Sequence, residues 1–409
     1  MTETANSVQF LVLLFGVLLV VNIFIRMGLK KIGIPALIGF LIIGLILRWG
    51  DNEWQILSQE ASEVFDFLAE IGLFTLLFRV GLESNLQGLL KQMRQASLIW
   101  LGNVVFSGLL GYVVSAWLLG LDILPSLFIG VALTATSVGV SISVWQEHKA
   151  TGSPTGELLL DVAEMDDISG IILMVLLLSV VSGIQGGGIQ VSAGRLAQAV
   201  GLIFLKLLMF GLLCIVFSRY LEEKITRFFE KKTHSPEPMI VVAGLGFVIA
   251  GIGALLGFSL AMGAFFAGLV FSRDPEAVKL DTSFCSIYEI FSPFFFIGIG
   301  LSINLSSLAP ALKWGGLLFL LAVLGKLLGN GILSLAVTGT VSALLISVSM
   351  IPRAEITMII MKRGNELGEW AVPDTVFSAM VLVSLATCLI SPLVLRKLLS
   401  KWPQKPEES

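Results

Sequence analysis

The chain has 409 residues, 56% of them hydrophobic and only 13% charged, with a formal net charge of −3. Soluble domains carry about 25% charged residues, so too few polar side chains exist here to cover a water-soluble globule. A mean hydropathy of +0.94 fits a polytopic membrane protein and excludes disordered, coiled-coil and disulfide-scaffold classes. No basic field for nucleic acid is present. Cys214, Cys285 and Cys388 stand singly in apolar stretches, so they read as small hydrophobes rather than metal ligands or disulfides.

Apolar windows of about twenty residues, each able to cross a hydrocarbon core of ~30 Å, recur along nearly the whole chain. They fall at 7–26, 33–48, 65–83, 97–120, 123–145, 157–183, 197–219, 239–256, 259–272, 285–303, 310–337, 340–361 and 373–399, about thirteen in all. Continuous runs such as Leu11 to Val21 contradict the alternation of a membrane barrel. The expected fold is therefore all-α.

Met1 to Gln9 carries no basic stretch and no small-residue cleavage site follows, so the first window reads as a retained anchor. Arg26, Lys30 and Lys31 follow it, and Lys91, Arg94, Lys149, the Lys224 to Lys232 cluster, Arg273, Lys279 and Arg396 to Lys401 fall on the same side. The opposite loops carry Asp51, Glu53, Glu60, Asp122 or the Gly186 to Gly188 run, with Lys362 and Arg363 dissenting. The basic side faces the cytoplasm, which places the N-terminus outside and the C-terminus inside. His148 and His234 read as ordinary loop residues.

The fifth window contains Thr134-Ala135-Thr136-Ser137-Val138-Gly139, a cluster of small and hydroxylated residues at mid-membrane depth. Small-residue helix packing would explain it; so would a helix break whose freed carbonyls coordinate a cation. The sixth window contains Glu164-Met165-Asp166-Asp167. Charges inside such windows cost about 2.5–3.5 kcal/mol on insertion scales, so two adjacent carboxylates point to an ion or proton site. Glu157, Asp161, Glu164 and Asp167 step by four, three and three and form one acidic stripe, a candidate cation funnel ending at Asp167. Asp166 lies about 100° round the helix from it. Glu157 and Asp161 could equally complement the positive end of the helix dipole.

Lys326 has apolar sequence on both sides, which favours a buried counter-ion over snorkelling. In the twelfth window Pro352 interrupts the helix beside Arg353 and Glu355, which could satisfy backbone groups freed by the break. Two breaks, in the fifth and twelfth windows, each next to a charged window, form the pattern of an inverted-repeat transporter with its site at the midplane.

With these motifs stand Glu70-Ile71-Gly72-Leu73, Gly81-Leu82-Glu83, the segment from Gly257 to Gly268, Phe294 to Gly300, and Pro352-Arg353-Ala354-Glu355. In that order they resemble the second monovalent cation:proton antiporter family, kin of bacterial sodium/proton exchangers and of Kef-type potassium systems. The resemblance implies a homodimer in the lipid of a bacterial inner membrane. Scaffold helices would lie at 1–90 and 239–305, and moving core helices at 91–185 and 306–400. A linker helix and cytoplasmic loop would occupy 186–238, and a tail 401–409. It implies that Asp167 binds Na+ or a proton, that Asp166 pairs with Lys326, and that Thr134 and Ser137 complete the ion site. Arg353 and Glu355 would be charge partners.

Kef-type members usually have Gln-Asp at the pair and a large nucleotide-sensing domain. This chain departs from the family pattern at Ala354, where Gly is common, and at Leu47-Arg48, where Gly-Pro is common. The expected activity is exchange of Na+ for protons by alternating access, with Li+ as a further cargo and no cofactor. K+/H+ exchange or a Kef-like potassium efflux pathway is the alternative. No nucleophile, metal or cofactor constellation suggests an enzyme.

Overall fold

Backbone amides in hydrocarbon have no water to bond, and helices satisfy them within the segment. The computed structural model describes residues 2–31, 34–55, 57–83, 93–185, 205, 209–222, 224, 237–255, 260–271 and 282–405, and no strand occurs among them. The predicted Gly186 to Gly188 loop, the Gly257 to Ser259 separator, His234, Lys91, Arg273, Lys279 and most of the Lys224 to Lys232 cluster lie outside the described residues.

The helices are α1 (Thr2–Lys31), α2 (Ala36–Trp54), α3 (Gln59–Glu83), α4 (Met93–Trp117), α5 (Ile123–Thr134), α6 (Val138–Glu147) and α7 (Pro154–Gln185). Then come α8 (Met209–Leu221), α9 (Glu237–Leu255), α10 (Leu260–Phe271), α11 (Thr282–Leu301), α12 (Leu308–Val337), α13 (Thr340–Ser349), α14 (Glu355–Glu366) and α15 (Asp374–Lys401). Among the described residues, 6 helical stretches are long and apolar enough to cross a membrane, the interrupted stretch Ile123–Glu147 included. The fifth window is two helices, α5 and α6, parted at 135–137, and the twelfth is α13 and α14, parted at 350–354.

The chain divides into two compact units. One comprises Met1–Ile25, Phe40–Asn85 and Val175–Leu301. Within it α3 packs on α10 and α11, and two glycine pairs bring backbones together. A Cβ on Gly81 would sit 2.2 Å from the Phe265 carbonyl, and one on Gly300 would sit 2.4 Å from that of Leu41. Any side chain there would force the helices apart. Rings of Phe74 and Phe247, and of Phe15 and Phe294, stack within the same unit.

The other unit comprises Arg26–Gly39, Leu86–Met174 and Ser302–Ser409. Here α4 packs against α5 and α12, α12 against α13 and α15, and α5 against α14. A Cβ on Gly102 would meet the Gly329 carbonyl at 2.6 Å, so the absence of side chains lets α4 and α12 touch. That contact brings the next residue of each helix, Asn103 and Asn330, together. A cluster around the fully buried Trp145, with Leu158, Val162, Leu345, Met350 and Leu395, anchors α6, α7, α13 and α15 to one another.

Candidate ion-binding site

The two helix breaks are joined to each other. Ala135, the C-cap of α5, is extended (φ −65°, ψ 147°), and Ser137 precedes α6 at φ −104°, ψ 84°. The Ser137 amide donates to the Pro352 carbonyl at 2.8 Å, and the Thr136 hydroxyl donates to the Met350 carbonyl at 3.3 Å. Ser141 Oγ donates to Ser349 O at 2.7 Å, Trp145 Nε1 to Ser349 Oγ at 2.9 Å, and Thr357 Oγ1 to Ala132 O at 3.0 Å. Backbone groups that the breaks release are thereby taken up by hydroxyls and amides of the opposite break, as a water-free interior requires.

Against this crossing α7 presents Asp166, and α12 presents Lys326; both side chains are fully buried, with Lys326 Nζ 3.6 Å from Asp166 Oδ2. Lys326 Nζ also donates to the Thr134 carbonyl at 2.5 Å. The cation therefore bridges a carboxylate and the negative end of α5. Asp166 Oδ1 accepts from Asn103 Nδ2 at 2.5 Å. Asp167, the next residue, is only half-buried.

Arg353 is fully buried and donates through Nη1 to the Ala135 carbonyl and through Nη2 to that of Ala322, the latter at 3.4 Å. Its own carbonyl accepts from Ser384 Oγ at 2.5 Å and Cys388 Sγ at 3.1 Å. Glu355 faces elsewhere. Its Oε2 accepts from Ser137 Oγ at 2.6 Å, and its position in the first turn of α14 sets a negative charge at the positive end of that helix. Glu355 also lines a cavity of about 680 Å³ within the second unit, together with Gly139, Ser143, Glu147 and Arg396.

Of the residues that the sequence singled out, Asp166, Lys326 and Thr134 meet at one point, and Ser137 meets Glu355. Thr134 takes part through its carbonyl, because its hydroxyl donates back to Val131 O at 2.8 Å. Along the acidic stripe, Asp167 and Asp161 are half-buried and Glu157 is exposed, so exposure grows toward the start of α7. Glu164 lies on the same helix, but its side chain is outside the described structure.

Charge alone does not point to Asn103, Ser107 or the Trp145–Ser349 bond. For Asn103 a signal existed, an amide set among Leu101, Val104, Val105 and Phe106. Among the described residues no group of three or more His, Cys, Asp or Glu is placed to hold a metal ion. The crossing offers a carboxylate, helix-end carbonyls, a lysine and a guanidinium.

A family model described as sodium/hydrogen exchanger, transmembrane, matches residues 15–401. Over 373 residues, 90% of this chain and 92% of the relative, the sequence is 28% identical to a Na(+)/H(+) antiporter of Enterococcus hirae. It is likewise 28% identical over 382 residues to the high-affinity Na(+)/H(+) antiporter NhaS3 of Synechocystis, covering 90% of this chain and 80% of that one. In fold it is similar to the sodium proton antiporter MjNhaP1 of Methanocaldococcus jannaschii, with a TM-score of 0.68 over 97% of each chain at 17% identity.

Proposed function

The chain belongs to the transmembrane sodium/hydrogen exchanger family, and from that premise we propose that Na+ and a proton compete for Asp167 while Asp166 is held as the counter-ion of Lys326. It is a multi-pass antiporter and not an enzyme. The observation that carries the site reading is the buried Lys326–Asp166 pair at the Thr134 break, beside an Asp167 that keeps partial exposure.

With Lys326 matched to Asp166, the carboxylate of Asp167 is the group at which the two cargoes exchange. A carboxylate open to one side holds a proton or a desolvated cation, but not both comfortably. Left bare it costs about 2.5–3.5 kcal/mol on insertion scales, whereas either occupant removes the net charge. The loaded site therefore crosses more readily than the empty one, and exchange is coupled. Thr134 contributes through its carbonyl and Ser137 through its hydroxyl. The acidic stripe of Glu157, Asp161 and Glu164 gathers cations toward Asp167, and Arg353 and Glu355 balance the helix ends.

Alternating access follows from displacement of core helices (91–185 and 306–400) against scaffold helices (1–90 and 239–305), with 186–238 linking them, in a homodimer embedded in lipid. The N-terminus lies outside and the C-terminus, with the tail 401–409, in the cytoplasm of a bacterial inner membrane; no cofactor is needed. Na+ is the cargo favoured by the relatives' activities, with Li+ beside it.

Reconstitution into liposomes tests this reading. Asp167→Asn should abolish Na+-driven proton flux at unchanged protein abundance, and a variant exchanging at the wild-type rate would remove Asp167 from the site. The same assay with Na+, Li+ and K+, at zero and imposed voltage, identifies the cargo. A response to K+ alone would make the protein a potassium/proton exchanger.

A further inference from the structure

Asn103 of α4 is fully buried and makes four polar contacts. Its Nδ2 donates to Asp166 Oδ1 at 2.5 Å and to the Thr134 carbonyl at 3.4 Å. Its Oδ1 accepts from Ser107 Oγ at 3.3 Å and Asn330 Nδ2 at 3.4 Å. A side-chain amide has one accepting end and one donating end. Two donors on the oxygen fix which way the amide points, and its nitrogen then faces the carboxylate and the end of α5. Ser107 stands on the same helix as Asn103, and Asn330 stands one turn beyond Lys326 on α12, so the orientation is set by α4 itself and by the helix that carries the lysine.

Asp166 is thus divided between two partners. Oδ1 is anchored by Asn103, whereas Oδ2 has no hydrogen-bond partner among the described residues and meets Lys326 at 3.6 Å by charge. We propose that Asn103 is a positioning residue for exchange: it keeps Asp166 turned toward Lys326, so that the lysine stays paired there and leaves Asp167 to the transported cation. Without the anchor Asp166 is free to rotate. Lys326, which already feels the charge of Asp167 as well as that of Asp166, then becomes a competitor of the cation. The inference rests on the reading of Asp167 as the cation carboxylate.

The test uses the full-length protein in liposomes and in detergent, with Na+ as the probe. Asn103→Leu keeps the size and removes both polar atoms; Asn103→Asp keeps the shape and replaces the amide donor with a second carboxyl group. Half-saturating Na+ is read from proton flux, and independently from the rise of melting temperature with Na+. Loss of a hydrogen bond to a charged group corresponds to about a tenfold effect or more. Both variants should therefore raise half-saturating Na+ about tenfold, with a smaller change in maximal rate.

In an Asp166→Asn background the further effect of Asn103→Leu should shrink to less than about twofold, because no charge remains to be held. Equal effects in the two backgrounds would make Asn103 a packing residue and overturn the proposal, as would wild-type Na+ dependence of both single variants. If the Leu and Asp variants fail to fold, Ser107→Ala decides. It removes one of the two orienting donors and should raise half-saturating Na+ by about two- to threefold, and an unchanged value counts against the proposal. Asp167→Asn run in parallel separates the layers. If it still exchanges, the underlying reading falls; if it is inactive while the Asn103 variants behave as wild type, only the positioning role falls.

Discussion

The two helix breaks are built alike in backbone and differently in charge. At the first, the carbonyls that end α5 are met by cations from elsewhere, Lys326 on Thr134 and Arg353 on Ala135. At the second, the carbonyls that end α13 and follow it are met by neutral hydroxyls, with Ser391 on Val348, Ser141 on Ser349, Thr136 on Met350 and Ser384 on Arg353. Both ends carry the negative pole of a helix, so geometry alone would treat them equally. The difference teaches that the first break is the electrically active one. The second supplies it with a guanidinium while its own backbone is satisfied without charge.

Four substitutions break or sharpen this comparison. The largest effect is expected from Lys326→Met, which leaves Asp166 buried and uncompensated. Removing one member of a buried pair costs about 3–5 kcal/mol, so exchange should vanish and the melting temperature in detergent fall. Adding Asp166→Asn to it should restore much of that stability. A single variant as stable as wild type would mean that the pair is not electrically coupled.

Arg353→Met comes next, expected to cost about 1.5–3 kcal/mol because the Ala135 and Ala322 carbonyls lose a charged donor. Chemical or thermal unfolding checks it. Ser141→Ala, at the second break, should cost only about 0.6 kcal/mol, the average for such bonds in membrane proteins. If it matched Arg353→Met, the asymmetry between the breaks would collapse. The smallest effect lies outside both: Arg396 pairs with Glu147 at 2.9 Å with both side chains partly exposed. Arg396→Ala should cost less than about 1 kcal/mol and nothing measurable at high salt, as unfolding in low and high salt will show.

Much of this was legible from the chain alone because charge is scarce in it. An Asp pair, a lysine and a Pro-Arg-x-Glu segment in otherwise apolar windows can be read without knowing what they touch, since hydrocarbon tolerates them only for a reason. The breaks at Thr134 and Pro352 were legible for a similar cause, in that small, hydroxylated and imino residues interrupt helices in known ways. What could not be read is partnership. Asn103 carries no charge and hardly lowers the hydropathy of its window, and its value comes from the Gly102–Gly329 contact that sets α4 on α12. The same holds for Arg353 and Glu355. Two residues apart in sequence, they serve different partners, Ala135 and Ser137, because the crossing chains approach them from different sides.

The carbonyl of Thr134 receives both Lys326 Nζ and Asn103 Nδ2. Its stretching vibration is therefore tuned by an ammonium and an amide rather than by helix neighbours alone. A heavy-carbon label on this one carbonyl would separate its infrared band from the rest of the amide envelope. The position of that band would read directly whether Lys326 keeps this acceptor when Na+ is added.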